Sequence, residues 1–319
     1  MAYIPLAGLS LRDIEYVVAV DDLRNFSRAA ERCGVSQAGL SEQVRKLESL
    51  LDVPLFERTR RHVVPTADGA RLIAHCREIL IAARTLLEVA RARTGPLEGV
   101  LRIGVIATLG PYYVPCLLPL LRRHYPQLTL QLTEGLTHPM LGRLRDNELD
   151  LVIAALPVAG DTTRSAPLFD EPFVAAFPLG HPLTSEAALT ERDLAGPDLL
   201  LLEDGHCLRD QALSLCGMAN QECHRLATSL EMLWHMVGAG EGYSLFPLLA
   251  LRHRDALAEL IVTRPVPEAR RHIGLIWRAS DPRGAAFSEF AAFLRDHPPE
   301  GVITAGDETT VPEMETARA

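Results

Sequence analysis

The chain lacks any long apolar run and contains few aromatic residues. It is 48% hydrophobic but only 5% aromatic. Its longest apolar stretches, VPCLLPLL and LLLL, are far shorter than the roughly 20 residues that cross a bilayer. The start of the sequence, MAYIPLAGLSLRD, has neither the basic residues nor the apolar stretch of a secretion signal. We therefore expect a cytoplasmic protein without a membrane partner.

Cysteine is also scarce, with six residues in 319. In a reducing compartment we expect no structural disulfide framework, so most of these side chains should be buried and any exception should be reactive. A zinc site at Cys207, Cys216, Cys223 and His224 is disfavoured, because these residues do not form the closely spaced cysteine pair usual in such sites. We expect neither a metal nor another cofactor.

Positive charge is limited and unevenly distributed. Lys46 is the only lysine, and the net charge of −9 does not by itself suggest a nucleic-acid partner. Between residues 24 and 65, however, eight basic residues stand against five acidic ones, which gives this segment a local charge of +3. The tail at 301–319 is acidic, with Thr, Gly and Pro between the charges, and is expected to be disordered.

The basic segment contains the strongest motif of the chain, FSRAAERCGVSQAGLSEQVRKLESLLDVPLFERTRR. Ser27 can cap one helix, Gly34 can supply a turn, and Ser36 can cap a second helix. The second helix has one buried stripe, formed by Leu40, Val44, Leu47 and Leu51. Its opposite face carries groups suited to base edges and phosphates, namely Gln37, Ser41 and Arg45.

Two flanking segments complete a winged helix-turn-helix. A helix over residues 11–22 adds a third element to the core, and FERTRRHVVPT indicates a hairpin. The hairpin arginines, Arg58, Arg60 and Arg61, could reach the DNA backbone. Periodicity alone leaves open any helical hairpin with a polar outer face.

The residue pattern favours the DNA-binding interpretation. The segments FSRAAERCGVSQAGLSEQVRKLE, PLFERTRR and PTADGARL resemble the DNA-binding domain of the LysR-type transcriptional regulators almost position by position. This resemblance implies double-stranded operator DNA and RNA polymerase as partners, with Ser36, Gln37, Ser41 and Arg45 on or near the DNA. Gly39 should weaken the recognition helix by up to about 1 kcal/mol relative to Ala. Glu42 places an anion near the DNA.

A long helix is predicted from Thr66 to Ala92, since this stretch has neither Gly nor Pro after Gly69. Its apolar residues have the spacing of a coiled-coil seam: Leu72, Cys76, Ile79, Ala83, Leu86 and Ala90. We expect this seam to form a dimer, with packing on its own domain as the alternative, and the family implies a homotetramer. The expected organisation is a winged helix-turn-helix domain at 1–65, a linker helix at 66–94 and a regulatory domain at 95–300.

Strand and helix patterns alternate through the regulatory domain, which predicts an α/β fold. This part resembles the effector domain of the same regulators, whose fold is like that of periplasmic binding proteins. The resemblance implies two lobes around a cleft, one formed by 99–168 with 273–300 and the other by 169–272. Most members of the family bind a small metabolite in that cleft, so metabolite sensing is one possible function.

The segment LLLLEDGHCLRDQALSLC places Cys207 and Cys216 nine residues apart. If Cys207 opens a helix, a rise of about 1.5 Å per residue separates the two thiols by roughly 13 Å. A disulfide requires Cα atoms within about 7 Å of each other. Either the thiols never meet, or their meeting destroys the helix.

A further resemblance favours the second possibility. LLEDGHCLRDQA, ATSLEML, TLGPYYVP, THPML and RRHIGLIWR resemble the peroxide-sensing branch of the LysR-type regulators. This implies that Cys207 attacks hydrogen peroxide and that Cys216 then forms an intramolecular disulfide with it, which a thioredoxin- or glutaredoxin-type reductant reverses. The same resemblance implies supporting roles for five residues: His206, Arg271, Thr108, Thr137 and Asp210.

Three alternatives remain at this point. The two cysteines could be inert core residues, and Arg271 could simply pair with a carboxylate. The chain could also be a thiol peroxidase. The helix-turn-helix favours a regulator over an enzyme.

Overall fold

The computed structural model describes residues 8–58, 63–91, 97–158, 162–186, 189–217, 225–252 and 257–304. The chain divides into two compact units, Met1–Arg93 and Thr94–Ala319. Arg60, Arg61, Cys223 and residues 305–319 of the acidic tail lie outside the described residues, as does the side chain of Arg58. The expected disorder of the tail is wrong at its start, because Ile303–Thr304 pair with another strand of the second unit. Among the helices in these ranges, none combines the length and apolarity needed to cross a membrane.

The first unit is a winged helix-turn-helix, as the sequence predicts. Its elements are α1 (Leu11–Leu23), α2 (Phe26–Arg32), α3 (Gln37–Leu51), the antiparallel hairpin of β1 (Phe56–Arg58) with β2 (Val63–Pro65), and α4 (Ala67–Arg91). Ser36 caps α3 as expected, but the cap of α2 was assigned wrongly. Asn25, not Ser27, accepts the backbone N–H groups of Ser27 and Arg28. An asparagine oxygen satisfies these donors as well as a serine would.

Two side chains fix the wing and α4 against α3. Glu48 of α3 accepts the backbone N–H groups of Leu55 and Phe56 at 2.9 and 3.3 Å. Thr66 caps α4 by accepting the N–H of Gly69 at 2.9 Å, and its hydroxyl donates to the carbonyl of Pro54 at 2.7 Å. These bonds hold the hairpin beside the end of the recognition helix.

The predicted seam of α4 divides into two parts. Ile73, Cys76 and Leu80 pack into the core of their own unit, and burial raises the pKa of the Cys76 thiol. In contrast, Ile79 and Leu86 are 40% and 70% exposed. The face of α4 that carries Ile73, Cys76 and Leu80 therefore stabilises its own domain, whereas Ile79 and Leu86 leave apolar surface for another chain.

The second unit is built on one seven-stranded mixed sheet, in agreement with the predicted two-lobed α/β fold. Its strand order is β11-β6-β10-β5-β3-β4, and β9 pairs with β6. The strands are β3 (Gly99–Ile106), β4 (Leu128–Gly135), β5 (Leu151–Leu156), β6 (Thr163–Pro178), β9 (Ser244–Pro247), β10 (Ile261–Arg278) and β11 (Ile303–Thr304). A separate parallel pair joins β7 (Leu201–Leu202) to β8 (Leu226–Ala227). The helices are α5 (Gly110–His124), α6 (Thr137–Arg145), α7 (Cys207–Leu215), α8 (Leu230–Gly238) and α9 (Gly284–Arg295).

Two of these strands, β6 and β10, run through both lobes. They pair antiparallel along almost their whole length, with Ile261 opposite Pro178 at one end and Arg278 opposite Thr163 at the other. One hydrophobic core includes Phe169 and Ile273 together with side chains of β3, β5, α5, α6 and α9. The other includes Phe173 and Ala269 together with side chains of α7, α8 and β9. The lobe boundary thus falls between these two positions on each strand, close to the predicted one.

Two glycines of this unit allow a matched test of its packing. A Cβ at Gly274 of β10 would contact Leu156 Cδ1 and lie 2.9 Å from the carbonyl oxygen of Ala166, whereas a Cβ at Gly142 of α6 would meet nothing within 4 Å. We expect Gly274→Ala to lower the free energy of unfolding by about 1–3 kcal/mol through overpacking. We expect Gly142→Ala to raise it by up to about 1 kcal/mol through helix propensity. Urea unfolding followed by tryptophan fluorescence measures both; a Gly274→Ala variant as stable as the native protein would contradict this packing.

Candidate functional site

The parallel strands β3 and β4 bring two of the predicted site residues to one edge of the sheet. The last register pair is Ile106 with Gly135, and the Ala107 N–H donates to the Gly135 carbonyl at 2.9 Å. Thr108 and Thr137 each follow two residues after this pair. Thr137 begins α6, and its hydroxyl is buried without a hydrogen-bond partner among the described residues. The edge therefore carries two hydroxyls, one of them without a partner.

Arg271 joins Thr108 at this edge. Its side chain is fully buried, and Nη1 donates to Thr108 Oγ1 at 2.8 Å while Nη2 donates to the Thr108 carbonyl at 3.0 Å. The guanidinium also pairs with the buried carboxylate of Glu171, with Nε 2.9 Å from Oε2. The alternative that Arg271 pairs with a carboxylate is thus correct, but the same side chain also binds a predicted site residue.

Cys207 and Cys216 occupy the two ends of α7. Cys207 is the first helical residue and Cys216 is the C-cap, and neither forms a disulfide. At about 1.5 Å rise per residue the two positions lie roughly 13 Å apart along the axis. Cys207 is partly buried against the core of the first lobe, whereas Cys216 is buried in the core of the second lobe. The helix therefore holds the two thiols apart, as the spacing predicts.

A tight turn leads into α7 and brings it to the β4–α6 edge. Gly205 adopts a φ of +96°, and a Cβ at this position would lie 3.1 Å from Leu136, the residue before Thr137. Arg209 fixes the turn, with Nη1 donating to the Leu202 carbonyl at 3.0 Å and Nε 2.9 Å from Asp204. Its donors therefore hold the backbone of the turn.

His206 is the N-cap residue of α7. Burial lowers the pKa of His206, while the charge of Glu203 and a hydrogen bond with the backbone of Thr228 oppose this shift. The lowered pKa favours the neutral imidazole, and a neutral imidazole can accept a proton. Asp210, also predicted to handle protons, is exposed on the first turn of the same helix.

Glu171 is the residue that sequence reasoning missed. It accepts from Arg271 through Oε2 and from the backbone N–H of Leu249 through Oε1, the latter at 2.9 Å. A fully buried acid within the apolar strand segment FDEPFVAAFP is the signal that could have identified it, because a buried carboxylate needs a partner. The register that places it opposite Arg271 is visible only in the sheet.

The recognition helix α3 presents most of the predicted DNA-contacting residues to solvent. Ser36, Gln37 and Arg45 are exposed. Ser41 is only 8% exposed, so its expected position on the outer face was wrong. Three residues before Val44, it lies beside the buried stripe.

Gly39 and Glu42, which were expected to disfavour the helix or its contact with DNA, both have local explanations. The N–H of Gly39 donates to the capping oxygen of Ser36 at 3.1 Å, and a Cβ at position 39 would lie only 3.0 Å from that oxygen. Glycine thus leaves room for the cap. Glu42 lies 3.1 Å from Lys46, so much of its charge is balanced on the helix itself.

Each of the two units matches a known protein family. Residues 11–70 match the bacterial regulatory helix-turn-helix protein, lysR family, and residues 94–299 match the LysR substrate binding domain. The chain is 42% identical over 292 residues to the hydrogen peroxide-inducible genes activator of Escherichia coli O6:H1, covering 90% of this chain and 95% of that protein.

Two solved structures are also similar. A cysteine-to-aspartate variant of full-length OxyR from Pseudomonas aeruginosa aligns with a TM-score of 0.69 and 38% identity, over 90% of this chain and 95% of that one. The oxidised form of OxyR aligns with a TM-score of 0.56 and 41% identity, over 63% of this chain and 96% of that one. The chain therefore belongs to the LysR family of bacterial regulatory helix-turn-helix proteins and, within it, to the OxyR group.

Proposed function

We propose that this chain is a cytoplasmic transcriptional regulator that senses hydrogen peroxide through a reversible disulfide between Cys207 and Cys216 and controls oxidative-stress genes. The observation that carries this proposal is the position of the two thiols at opposite ends of one helix, with Cys207 against the core of the first lobe and Cys216 in the core of the second. The relatives named as peroxide-inducible activators support peroxide as the signal.

The chemistry proceeds in two balanced steps. The thiolate of Cys207, favoured by the partial positive charge at the start of α7, attacks one peroxide oxygen. The O–O bond breaks, Cys207 becomes a sulfenic acid, and the second oxygen leaves as water after gaining a proton. The thiolate of Cys216 then attacks the Cys207 sulfur and displaces the hydroxyl as a second water. Two thiols are oxidised to one disulfide, and one peroxide is reduced to two waters.

The residues around the sheet edge fit the first step. Thr108 and Thr137 offer hydroxyls, and Arg271 offers N–H donors to the developing negative charge on the leaving oxygen. His206 and Asp210 could move the protons that the leaving oxygen requires. These assignments rest on the family resemblance together with the Thr108–Arg271 contact.

The second step requires α7 to unwind. A disulfide needs Cα atoms within about 7 Å, and the intact helix keeps them almost twice as far apart. Leu208 and Leu213, which are buried with Cys216 in the second lobe, must then change neighbours. A local covalent bond thereby becomes a change in the shape of the regulatory unit.

The first unit would bind operator DNA through α3 and the wing. Exposed Gln37 and Arg45, together with the arginines of the hairpin, provide donors for base edges and phosphates. The same proposal includes dimerisation through the exposed apolar residues of α4, Ile79 and Leu86, and assembly into a tetramer. It also includes contact with RNA polymerase and reduction by a thioredoxin- or glutaredoxin-type dithiol. The chain would act as a switch and not as an enzyme that turns over peroxide.

The role of the two thiols can be separated by substitution. We expect Cys207→Ser to abolish the transcriptional response to peroxide, because the attacking sulfur is lost. Cys216→Ser should still form a sulfenic acid at Cys207 but should not adopt the oxidised conformation. Mass spectrometry of trapped sulfenic acid and of disulfide-linked peptides measures both outcomes.

Cys116 provides the matched control, because it is a free thiol exposed on the surface. Cys116→Ser should respond to peroxide like the native protein. An unchanged response in Cys207→Ser would refute the sensor and favour a small metabolite as the signal. A native bridge from Cys207 to another cysteine would refute the assignment of Cys216.

DNA binding can be tested independently of the redox site. We expect Arg45→Ala to weaken binding to an operator selected by the native protein by about 1–3 kcal/mol, the usual cost of a lost base contact, without altering peroxide reactivity. Arg71→Ala on α4, where the side chain is 83% exposed, is the control and should bind normally. Fluorescence anisotropy measures the affinities, and a loss of both DNA binding and peroxide reactivity in Arg45→Ala would identify Arg45 as a structural residue.

A further inference from the structure

Glu171 and Arg271 form an ion pair at the point where the crossing strands pass from one lobe to the other. They are direct cross-strand partners on β6 and β10, and both side chains are fully buried. On β6, two residues to either side of Glu171, Phe169 belongs to the core of the first lobe and Phe173 to the core of the second. The pair therefore lies between the two cores.

The hydrogen bonds of the pair leave one donor of Arg271 unused. Nε and Nη2 lie 2.9 and 2.8 Å from Glu171 Oε2, while Nη2 and Nη1 donate to the carbonyl and hydroxyl of Thr108. A guanidinium carries five N–H groups in a planar fork. Three hydrogen bonds and the ion-pair contact of Nη2 with Oε2 occupy four of them, so one N–H on Nη1 has no partner in the described part of the chain. Because the fork is planar, the contacts on Nε and Nη2 fix the direction of that N–H.

Glu171 is itself fixed by contacts that only a carboxylate can satisfy. It receives N–H groups from Arg271 on Oε2 and the backbone N–H of Leu249 on Oε1, so both oxygens act as acceptors. A glutamine has one acceptor oxygen and would turn its NH2 group toward one of these donors. The carboxylate also balances the charge of a guanidinium that is buried in the fold.

We propose that Glu171 is a positioning residue for the peroxide reaction: it aims the free Nη1 N–H of Arg271 at the peroxide oxygen that leaves when the Cys207 thiolate attacks. The N–H stabilises negative charge on that oxygen as the O–O bond breaks, and Glu171 acts only through Arg271. This inference rests on the proposed peroxide chemistry of Cys207.

The first test compares two reagents on the reduced full-length protein. Hydrogen peroxide needs a hydrogen bond to its leaving oxygen, whereas alkylation by iodoacetamide requires the Cys207 thiolate but no such bond. We expect Glu171→Gln to slow oxidation of Cys207 by peroxide about 10- to 100-fold, the scale of a misplaced catalytic group. Alkylation should change by less than about threefold. Quenched-flow labelling with mass spectrometry measures both rates.

Asp170→Asn is the matched control. Asp170 neighbours Glu171 on β6 and also pairs with a residue of β10, His272, at 2.6 Å, but that histidine is 57% exposed. This variant should keep both native rates. If Glu171→Gln slows oxidation by peroxide and alkylation by iodoacetamide equally, the proposal is overturned, because equal slowing would indicate a general disturbance of α7.

A double-mutant comparison tests whether Glu171 acts only through Arg271. Arg271→Gln and Glu171→Gln/Arg271→Gln should react with peroxide at rates within about twofold of each other. The comparison does not require Glu171→Gln alone, in which a guanidinium that cannot lose its proton stays buried without a charge partner. In Arg271→Gln the unpaired Glu171 carboxyl can take up a proton and become neutral, and the double variant contains neither charge. A double variant about tenfold slower than Arg271→Gln would show an independent role and overturn the proposal.

The failure of this inference can be distinguished from the failure of the proposed function. If native Cys207 does not react with peroxide, the sensor itself is wrong before any variant is compared. If native Cys207 reacts and Glu171→Gln reacts equally fast, the sensor stands and the positioning role is wrong. Far-UV circular dichroism and operator binding of the reduced variants establish that each is folded.

Discussion

The regulatory unit depends on one helix that keeps two thiols apart. Cys207 opens α7 beside the core of one lobe, and Cys216 closes it within the core of the other. Backbone hydrogen bonding sets the length of this helix, so the distance between the thiols cannot be reduced by side-chain rotation alone. Two thiols separated in this way can form a disulfide only if the helix between them unwinds. Because bond formation requires that unwinding, oxidation of the thiols changes the shape of the protein.

The crossing strands place Glu171 and Arg271 between the cores of the two lobes. Since β6 and β10 pair along almost their full length, a residue near their middle can contact either core. Glu171 uses this position to bind Arg271, which contacts Thr108 of the first lobe, and also the backbone of Leu249 beyond β9. A single buried carboxylate thus links Arg271 and Thr108 to the backbone of Leu249, whose side chain packs in the core of the first lobe. Buried charges are tolerated here because every one of them has a fixed partner.

Local patterns were predictable from the sequence, and relations between distant segments were not. The stripe Leu40–Leu51 and the separation of Cys207 from Cys216 along one helix follow from helical spacing, so both were predicted correctly. The burial of Ser41 and the packing of Cys76 on its own domain depend on neighbouring helices, which periodicity does not reveal. The apolar ends of β6 and β10, FVAAFP and HIGLIWR, have the pattern of strands, whereas the early parts of both strands contain prolines and charged residues that are typical of loops. Glu171 was missed because local sequence patterns do not reveal its partner Arg271, which lies 100 residues away.

The packing of α7 also bears on how easily the disulfide could be reduced. Fully burying a side chain such as Leu208 or Leu213 contributes about 1.5–3 kcal/mol, and unwinding the helix forfeits the part of this that repacking does not recover. Any such loss falls on the oxidised form alone. For a two-electron couple each 1.4 kcal/mol raises the reduction potential by about 30 mV, which makes the bond easier for a cellular dithiol to reduce. Strong packing around Cys216 therefore makes the switch easier to reset, whereas weak packing would leave the disulfide persistent. On this argument the hydrophobic neighbours of α7 set the sensitivity of the switch, although none of them takes part in the chemistry.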